Sequence, residues 1–202
     1  MFHCGYLCLE NKSNHHMRKW FLAVGILLTL HQAGQAQTAG SKSAGESEKV
    51  NWLTWEEAVA LSQKQKRKVL LDVYTQWCQW CERMDKATFQ DPEIARYINE
   101  NFYAVKFDAE TKDELTYKAK VYKFVRSGKH GYNELAVVFL GERLSFPSLV
   151  FLDEDLGLIQ SIPGFRNPFE FEQIASYFAT DAYKKTPWSA YQKSYTNSKL
   201  KD

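Results

Sequence analysis

The sequence LLDVYTQWCQWC at residues 70–81 joins a hydrophobic run to two cysteines that are three positions apart. The run begins one residue earlier and reads VLLDVYT, a near-continuous series that predicts a strand buried on both faces. Asp72 places a carboxyl group inside this strand, where an unpaired charge is costly. Cys78 and Cys81 follow directly and open a helix, so one helical turn brings their sulfur atoms within reach of a disulfide.

The positions of the two cysteines on this helix predict different roles for them. Unpaired backbone N–H groups and the positive end of the helix dipole face Cys78, which lowers the pKa of its thiol. Cys81 lies one turn further in and is better shielded. We therefore expect Cys78 to be the attacking nucleophile and Cys81 to be the resolving thiol that breaks the mixed disulfide.

Other uses of a cysteine pair fit the sequence less well. A structural disulfide across so short a loop would contribute about 2 kcal/mol, against about 4.7 kcal/mol for a loop of about 100 residues. A zinc site needs two further ligands, but beyond residue 36 the sequence offers no other cysteine and one histidine. Haem attachment needs a histidine after the second cysteine, where this chain has Glu82. Redox chemistry is favoured, and the alternative that stays open is a fold that keeps the pair without using it.

The first 36 residues have the layout of a secretory signal peptide. A basic segment at residues 17–19 precedes the apolar run FLAVGILLTL at residues 21–30, and residues 34–36 supply small side chains for cleavage before Gln37. The run is shorter than the roughly 20 residues of a bilayer span, which disfavours an uncleaved membrane anchor. Met17 is a second candidate, beside Met1, for the residue at which translation starts. We expect an exported protein, periplasmic or secreted, in a compartment where disulfides persist.

Loss of residues 1–36 would leave 23 basic and 23 acidic residues of the 202-residue chain, and therefore no net charge. This balance gives no sign of a nucleic-acid partner or of an electrostatically marked substrate. The hydrophobic content of 45% and the aromatic content of 15% exclude a disordered chain. His130 would be the one remaining histidine, which disfavours hydrolases that need a Ser-His-Asp or Cys-His arrangement.

Caps and hydrophobic periodicity predict the remaining elements. Strands are predicted at residues 69–75, 102–108, 148–152 and 158–162. Helices are predicted at residues 54–65, 82–87, 92–100, 134–140 and from 168 onward, with caps from Thr54, Asp91, Asn133 and Asn167. Strands separated by helices and followed by a terminal hairpin indicate an α/β domain with a mixed sheet.

Two segments allow more than one interpretation. Residues 115–125 favour a hairpin over a helix, and the side chains expected to alternate on one face are those of Tyr117, Ala119 and Val121. The tail at residues 181–202 favours a docked terminal helix over a strip that binds a partner. Its aromatic residues recur at helical spacing, at Trp188, Tyr191 and Tyr195.

Residues 70–81 resemble the active-site stretch of the thioredoxin superfamily, in which an apolar strand with a buried acid runs into Trp-Cys-x-x-Cys. More narrowly, the aromatic-rich chain resembles exported bacterial thioredoxin-like proteins. The resemblance covers about residues 52–180, with several motifs in the family's order. It implies that Asp72 is the buried acid, Trp77 the tryptophan before the nucleophile, and Lys106 the lysine near that acid on the next strand.

Two further matches lie closer to the C-terminus. Phe146-Pro147-Ser148 resembles the family's cis-proline loop, and Gly164 resembles a glycine near the end of the last hairpin. A cis X-Pro bond at Pro147 would expose a backbone edge beside the disulfide, on which an extended substrate segment can pair. The dipeptide Gln-Trp between the cysteines departs from the Gly-Pro of reducing thioredoxins and from the histidine of many oxidants, so the direction of transfer stays open.

Burial of Asp72 in an apolar strand raises the pKa of its carboxyl group. Asp72 would then exchange protons with Cys81 near neutral pH. The alternative is a structural acid that is simply paired with Lys106.

The resemblance implies a thioredoxin-like α/β fold, with a central mixed β-sheet flanked by helices. It would occupy residues 50–180 behind a flexible linker at residues 37–49, with an insert at about residues 110–132 before the cis-proline loop. The implied activity is that of a thiol–disulfide oxidoreductase acting on protein thiols and disulfides through a redox disulfide between Cys78 and Cys81.

The same interpretation includes an upstream redox partner, no bound cofactor or metal, and no membrane anchor once the leader is cleaved. Two alternatives from other functional classes stay open. One is a chaperone-like binding or assembly module whose cysteines are incidental, and the other is a partner-specific redox sensor.

Overall fold

A mixed sheet of five strands forms the centre of this computed structural model, which describes residues 48–195. In spatial order the strands are β1 (Trp52–Leu53), β3 (Tyr103–Asp108), β2 (Val69–Tyr74), β8 (Ser148–Leu152) and β9 (Leu158–Pro163). The pairs β1–β3 and β2–β3 are parallel, and the pairs β2–β8 and β8–β9 are antiparallel. The central strand β2 therefore carries the polypeptide directly to the two cysteines.

Helices cover both faces of the sheet. They are α1 (Trp55–Lys64), α2 (Gln79–Met84), α3 (Pro92–Asn101), α4 (Glu134–Leu140), α5 (Pro168–Ala179) and α6 (Trp188–Ser194). A π-helical turn at Asp85–Phe89 follows α2, and a 3₁₀ turn at Ala182–Lys184 follows α5. This arrangement confirms the thioredoxin-like α/β fold predicted from the sequence.

Strand β2 is buried on both faces, as its composition predicts. Leu70 packs with Ile98 and Phe171 of α3 and α5, whereas Leu71 packs on the opposite face with Phe139 of α4. Because side chains alternate along a strand, Asp72 lies on the same face as Leu70. The fold thus directs this carboxyl group towards the layer that contains the helix of the cysteines.

The predicted helix caps are confirmed. Thr54 forms a capping box with Glu57, and Asp91, Asn133 and Asn167 each accept hydrogen bonds from backbone N–H groups at the start of their helices. The helix predicted at residues 82–87 is wrong in its bounds, since α2 begins at Gln79 and becomes a π-turn after Met84. The reason is that Cys78 itself is the N-cap residue.

The segment predicted as an insert folds into two hairpins. The first joins β4 (Leu115–Tyr117) to β5 (Lys120–Tyr122), which confirms the hairpin. The predicted alternation is wrong, because Ala119 lies in the turn with a φ of 60° and Val121 is 44% exposed. Tyr117 is buried, and its hydroxyl donates to the carbonyl of Leu156 at 2.7 Å.

The second hairpin was not predicted. It joins β6 (Phe124–Ser127) to β7 (His130–Asn133) around Gly128, which has a φ of 60°. Its strands are largely exposed and carry polar residues, so they lack the hydrophobic signal of a buried strand. The Ser127-Gly128 pair was the available sign of a turn.

Helix α6 lies against α5, as the docked-helix interpretation of the tail predicts. The ring of Tyr177 contacts the rings of Trp188 and Tyr191 at centroid distances of 5.2 and 4.9 Å. The Tyr191 hydroxyl donates to Ser176 Oγ at 2.9 Å. These contacts hold α6, at the C-terminal end of the described residues, against α5.

The leader predicted at residues 1–36, most of the linker predicted at residues 37–49 and residues 196–202 lie outside the described residues. Within residues 48–195, none of the helices has the length and apolar character needed to cross a membrane.

Candidate active site

The two cysteines form a disulfide at the beginning of α2, with their Cα atoms 5.3 Å apart. Cys78 is 9% exposed and Cys81 is 2% exposed, so Cys78 lies nearer the surface. The backbone N–H of Cys81 donates to Cys78 Sγ at 3.1 Å. The helix terminus therefore presents a hydrogen-bond donor to the sulfur of the first cysteine, where it stabilises negative charge.

Asp72, Lys106 and Asp85 form an ion-paired cluster beneath α2. Lys106 lies opposite Asp72 in the β2–β3 register, and its Nζ donates to Asp72 Oδ2 at 2.5 Å. The same ammonium donates to Asp85 Oδ1. Asp85 follows α2, and its backbone N–H donates to the carbonyl of Cys81. The cluster thus connects the buried acid of β2 to the end of the helix that carries Cys81.

The environment of Asp72 disfavours its ionised form. Its side chain is completely buried, and among the described residues Oδ1 has no hydrogen-bond partner. Burial raises the pKa of Asp72 to about 6, although the neighbouring Lys106 ammonium opposes the shift. Burial also disfavours the charge of Lys106, but the Asp72 and Asp85 carboxylates outweigh this effect and raise the pKa of Lys106. A proton on Asp72 is therefore exchangeable close to neutral pH.

Exposed aromatic side chains frame the disulfide. Trp77 and Trp80 are each 55% exposed, which is unusual for such large apolar groups. Trp77 meets the ring of Phe146 at 6.0 Å, and Trp80 meets the ring of Phe165 at 5.8 Å. In the sequence, each cysteine directly follows the tryptophan of one of these partly exposed aromatic pairs. We call the four aromatic residues the aromatic frame.

The Phe146–Pro147 peptide bond is cis, as the resemblance implies. The N–H of Gly164 donates to the carbonyl of Pro147 at 2.7 Å. Gly164 has a φ of 95°, a conformation that favours glycine. Because the Phe146 ring contacts Trp77, the residue before Cys78, this loop lies close to the start of the disulfide motif.

The second hairpin reaches the active-site tryptophan. Trp77 Nε1 donates to Glu110 Oε2 at 3.1 Å, and the Trp77 ring lies 5.4 Å from the ring of His130. His130 Nδ1 is 3.3 Å from the other oxygen of Glu110. Glu110 thus holds both rings, and the insert forms one wall of the site.

The structure brings together the residues singled out in the sequence: Asp72 with Lys106, Trp77 with Phe146, and Cys78 with Cys81. Sequence reasoning missed several neighbours that complete the site, namely Trp80, Asp85, Glu110, His130 and Phe165. Asp85 had a recognisable signal, because it lies four residues after Cys81 and therefore on the same helix face. Within residues 48–195, no cluster of three or more His, Cys, Asp or Glu residues is placed to hold a metal ion.

Several known proteins are similar to this chain. Spermatogenesis-associated protein 20 of Mus musculus is 36% identical over 84 residues, which is 41% of this chain and 10% of that protein. Thiol:disulfide interchange protein DsbD of Vibrio vulnificus (strain YJ016) is 29% identical over 90 residues, or 39% of this chain and 15% of that protein. The chain thus spans only a small part of the length of these relatives.

Two solved structures are also similar to this chain. A DsbH oxidoreductase has a TM-score of 0.48 at 18% identity, covering 70% of this chain and 93% of that chain. A thioredoxin-fold protein from Helicobacter pylori has a TM-score of 0.49 at 22% identity, covering 63% of this chain and 83% of that chain. The family model Thioredox_DsbH, described as a protein of unknown function (DUF255), matches residues 40–185. Since that match covers well over half of the sequence, the chain belongs to this DsbH-type thioredoxin-like family.

Proposed function

We propose that this protein is an exported thiol–disulfide oxidoreductase that exchanges disulfides with other proteins through Cys78 and Cys81. The observation that carries the proposal is the Cys78–Cys81 disulfide at the start of α2, with the Cys81 N–H directed at Cys78 Sγ. In the reduced protein the same donor and the helix dipole favour a thiolate at Cys78. Membership of the DsbH-type family supports the same chemistry.

In the reducing direction, the Cys78 thiolate attacks one sulfur of a client disulfide. The client S–S bond breaks, a Cys78–client S–S bond forms, and the first client sulfur leaves as a thiolate that takes up a proton. Cys81 then loses its proton and attacks Cys78 Sγ, so that the mixed disulfide breaks and the second client sulfur leaves. Two electrons pass from the protein to the client, and an upstream dithiol must supply them again. The oxidising direction is the reverse sequence.

The role proposed for Asp72 is to exchange the proton of Cys81. A carboxyl group with a pKa of about 6 is a suitable base at neutral pH. Lys106 holds the carboxyl in place, and Asp85 connects Lys106 to the turn of helix that follows Cys81. In this proposal the cluster stabilises the fold through its ion pairs, and its buried carboxyl group also accepts and returns one proton.

The aromatic frame supports a polypeptide as the client. Partly exposed tryptophan and phenylalanine rings bury apolar surface readily when a chain segment lies across them. In this proposal the backbone beside Pro147 pairs with that segment while Trp77 and Trp80 contact its side chains. A small thiol such as glutathione would leave most of this frame uncovered.

Export is part of the proposal, and it predicts where the mature chain begins. We expect signal peptidase to cleave after Ala36, so that the protein recovered from its native host begins near Gln37. Intact-mass analysis of the exported fraction measures this start directly. An uncleaved N-terminus recovered with the membrane fraction would instead identify residues 21–30 as an anchor.

Catalysed reduction of insulin tests the proposed activity. With dithiothreitol as electron donor, the protein is expected to accelerate precipitation of the insulin B chain, because Cys78 exchanges faster than free dithiothreitol. Equilibration with glutathione buffers then gives the reduction potential and thus the direction of transfer, since about 30 mV corresponds to 1.4 kcal/mol. Failure to accelerate insulin reduction, together with failure to exchange with glutathione, would leave the binding or assembly module as the better account.

A further inference from the structure

A groove of about 400 Å³ lies against the second hairpin. We call it the hairpin groove. Its cationic lining residues are Lys112, Arg126 and Lys129, its acidic ones are Asp108 and Glu110, and His130 also lines it. Gln76 lines both this groove and the cavity of about 260 Å³ at the two cysteines. The groove therefore adjoins the active site.

The insert is basic although the chain as a whole is nearly neutral. Residues 110–132 contain six Lys or Arg against three Asp or Glu. Three of these cations are engaged within the insert. Lys123 pairs with Glu114 at 2.7 Å, while Lys118 and Lys120 lie over the rings of Tyr117 and Tyr122 at 5.2 and 4.7 Å.

The other three cations all line the hairpin groove. Within the described residues, Lys112, Arg126 and Lys129 make no ion pair, side-chain hydrogen bond or ring contact, and all three are exposed. The two carboxylates of the groove are already engaged. Asp108 accepts from Gln76 Nε2 at 3.3 Å, and Glu110 accepts from Trp77 and faces His130. The groove thus has three unpaired cations against two carboxylates, and both carboxylates are hydrogen-bonded to groups within the site.

We propose that the hairpin groove binds an acidic segment of the client polypeptide and so selects clients whose carboxylates lie close to the exchanged cysteine. The proposal rests on the proposed oxidoreductase function and adds to it the charge of the preferred client. Complementary charge chiefly accelerates encounter and fixes the orientation of the partner. Here the orientation is passed on through Glu110 and His130, which hold Trp77 beside the nucleophile.

The groove suits a polypeptide better than a nucleic acid. Three unpaired cations are fewer than the roughly 6–10 phosphate contacts of a strong nucleic-acid site. The carboxylates of Asp108 and Glu110 also lie in the groove, where they would repel a continuous phosphate backbone. A peptide carries separate carboxylates rather than a continuous row of charges, so these can meet the cations without lying against Asp108 and Glu110, and its apolar residues can reach the aromatic frame.

The test uses two synthetic peptides of equal length, each with one disulfide, flanked by glutamates in one and by lysines in the other. The test variant is the triple charge reversal of the groove, Lys112→Glu, Arg126→Glu and Lys129→Glu. The matched control reverses three exposed cations elsewhere, Lys64→Glu, Lys185→Glu and Lys193→Glu. Exchange with hydroxyethyl disulfide, which is small and uncharged, reports the chemistry of the cysteines alone.

At low salt we expect the native protein and the control variant to exchange about tenfold faster with the acidic peptide than with the basic one. The groove variant should lose or invert this preference while its rate with hydroxyethyl disulfide stays within about twofold of the native rate. The preference should shrink as ionic strength rises, since the Debye length falls to about 8 Å at 0.15 M. A preference that persists in the groove variant, or is absent from the native protein, would overturn the docking proposal.

A binding measurement separates the docking proposal from the proposed activity. Peptides with serine in place of both cysteines cannot exchange, so their affinity for the oxidised protein depends on docking alone. Tighter binding of the acidic peptide, lost in the groove variant, supports the groove even if no disulfide is exchanged. Failure of hydroxyethyl disulfide exchange counts against the oxidoreductase function only. Tighter binding of a single-stranded oligonucleotide than of the acidic peptide would identify a different class of partner and overturn the proposal.

Discussion

Cys81→Ser is expected to convert the protein into a trap that accumulates mixed disulfides between Cys78 and its clients. Cys78 remains at the start of α2 and still attacks, but the thiol that would release the product is gone. On non-reducing gels of the exported fraction, the variant should shift into high-molecular-weight species that disappear on reduction. Mass spectrometry of those species would identify the clients.

Cys78→Ser is the control, and it should trap nothing. Cys81 is 2% exposed and lies one turn inside α2, so it offers a client disulfide little access. In the reduced native protein, alkylation at pH 6–7 should modify Cys78 first, because the Cys81 N–H and the helix dipole favour its thiolate. Equal, slow alkylation of both cysteines, with no trapping by Cys81→Ser, would contradict activation by the helix terminus.

The trapped clients also bear on the docking proposal. If the hairpin groove selects clients, the peptides bound to Cys78 should be enriched in Asp and Glu near the trapped cysteine. The same Cys81→Ser background with the groove reversed should still trap proteins, since the cysteine chemistry is unchanged, but without that enrichment. Trapping and client selection therefore separate experimentally.

The central motif and most element positions were predictable because they depend on local rules. Neighbouring residues alone specify a strand in which Asp72 is the one charged residue. They also specify the cysteine that follows this strand and caps its own helix. The caps at Thr54, Asp91 and Asn133 follow equally local hydrogen-bond rules, and the structure has each of them. Local consistency of this kind is the reason why the fold could be inferred from the sequence.

The insert could not be predicted in detail because its form depends on tertiary contacts. Its first turn uses Lys118 and Ala119 at φ values of 48° and 60°, positions that usually take Asn or Gly and therefore gave no signal. The contact of Trp77 with Glu110 and His130 joins segments far apart in sequence, across a hairpin that the hydrophobic pattern does not reveal. The contacts proposed to determine client specificity thus lie in the segment whose structure the sequence predicts least well.

Asp72→Asn is expected to stabilise the protein at neutral pH and to have much less effect in acid. Burial raises the folded-state pKa of Asp72 to about 6, from the ordinary value of 3.8 that the unfolded chain keeps. The folded state therefore holds this proton more tightly, and the resulting stability is complete below pH 4 and is lost as the pH rises through 6. At 1.36 kcal/mol per pKa unit, the loss by neutral pH amounts to about 3 kcal/mol.

Asparagine carries no charge at any pH, so the variant escapes this loss. The difference in free energy of unfolding between Asp72→Asn and the native protein should grow by up to about 3 kcal/mol between pH 4 and pH 7.5. Urea denaturation of the oxidised proteins at both pH values measures it. Asp85→Asn is the matched control, because it removes the other carboxylate of Lys106 and leaves the buried one. That variant should show no comparable gain.

The same substitution tests whether the stability given up at Asp72 serves the reaction. If the buried carboxyl exchanges the proton of Cys81, Asp72→Asn should slow the second step of exchange and remove its dependence on pH near 6. The first step depends on Cys78 and should change little. A stabilised variant with an unchanged rate of resolution from pH 6 to 9 would make Asp72 a structural partner of Lys106 only. A stabilised variant with slow resolution would instead mean that the fold tolerates a destabilising acid because Cys81 needs a base.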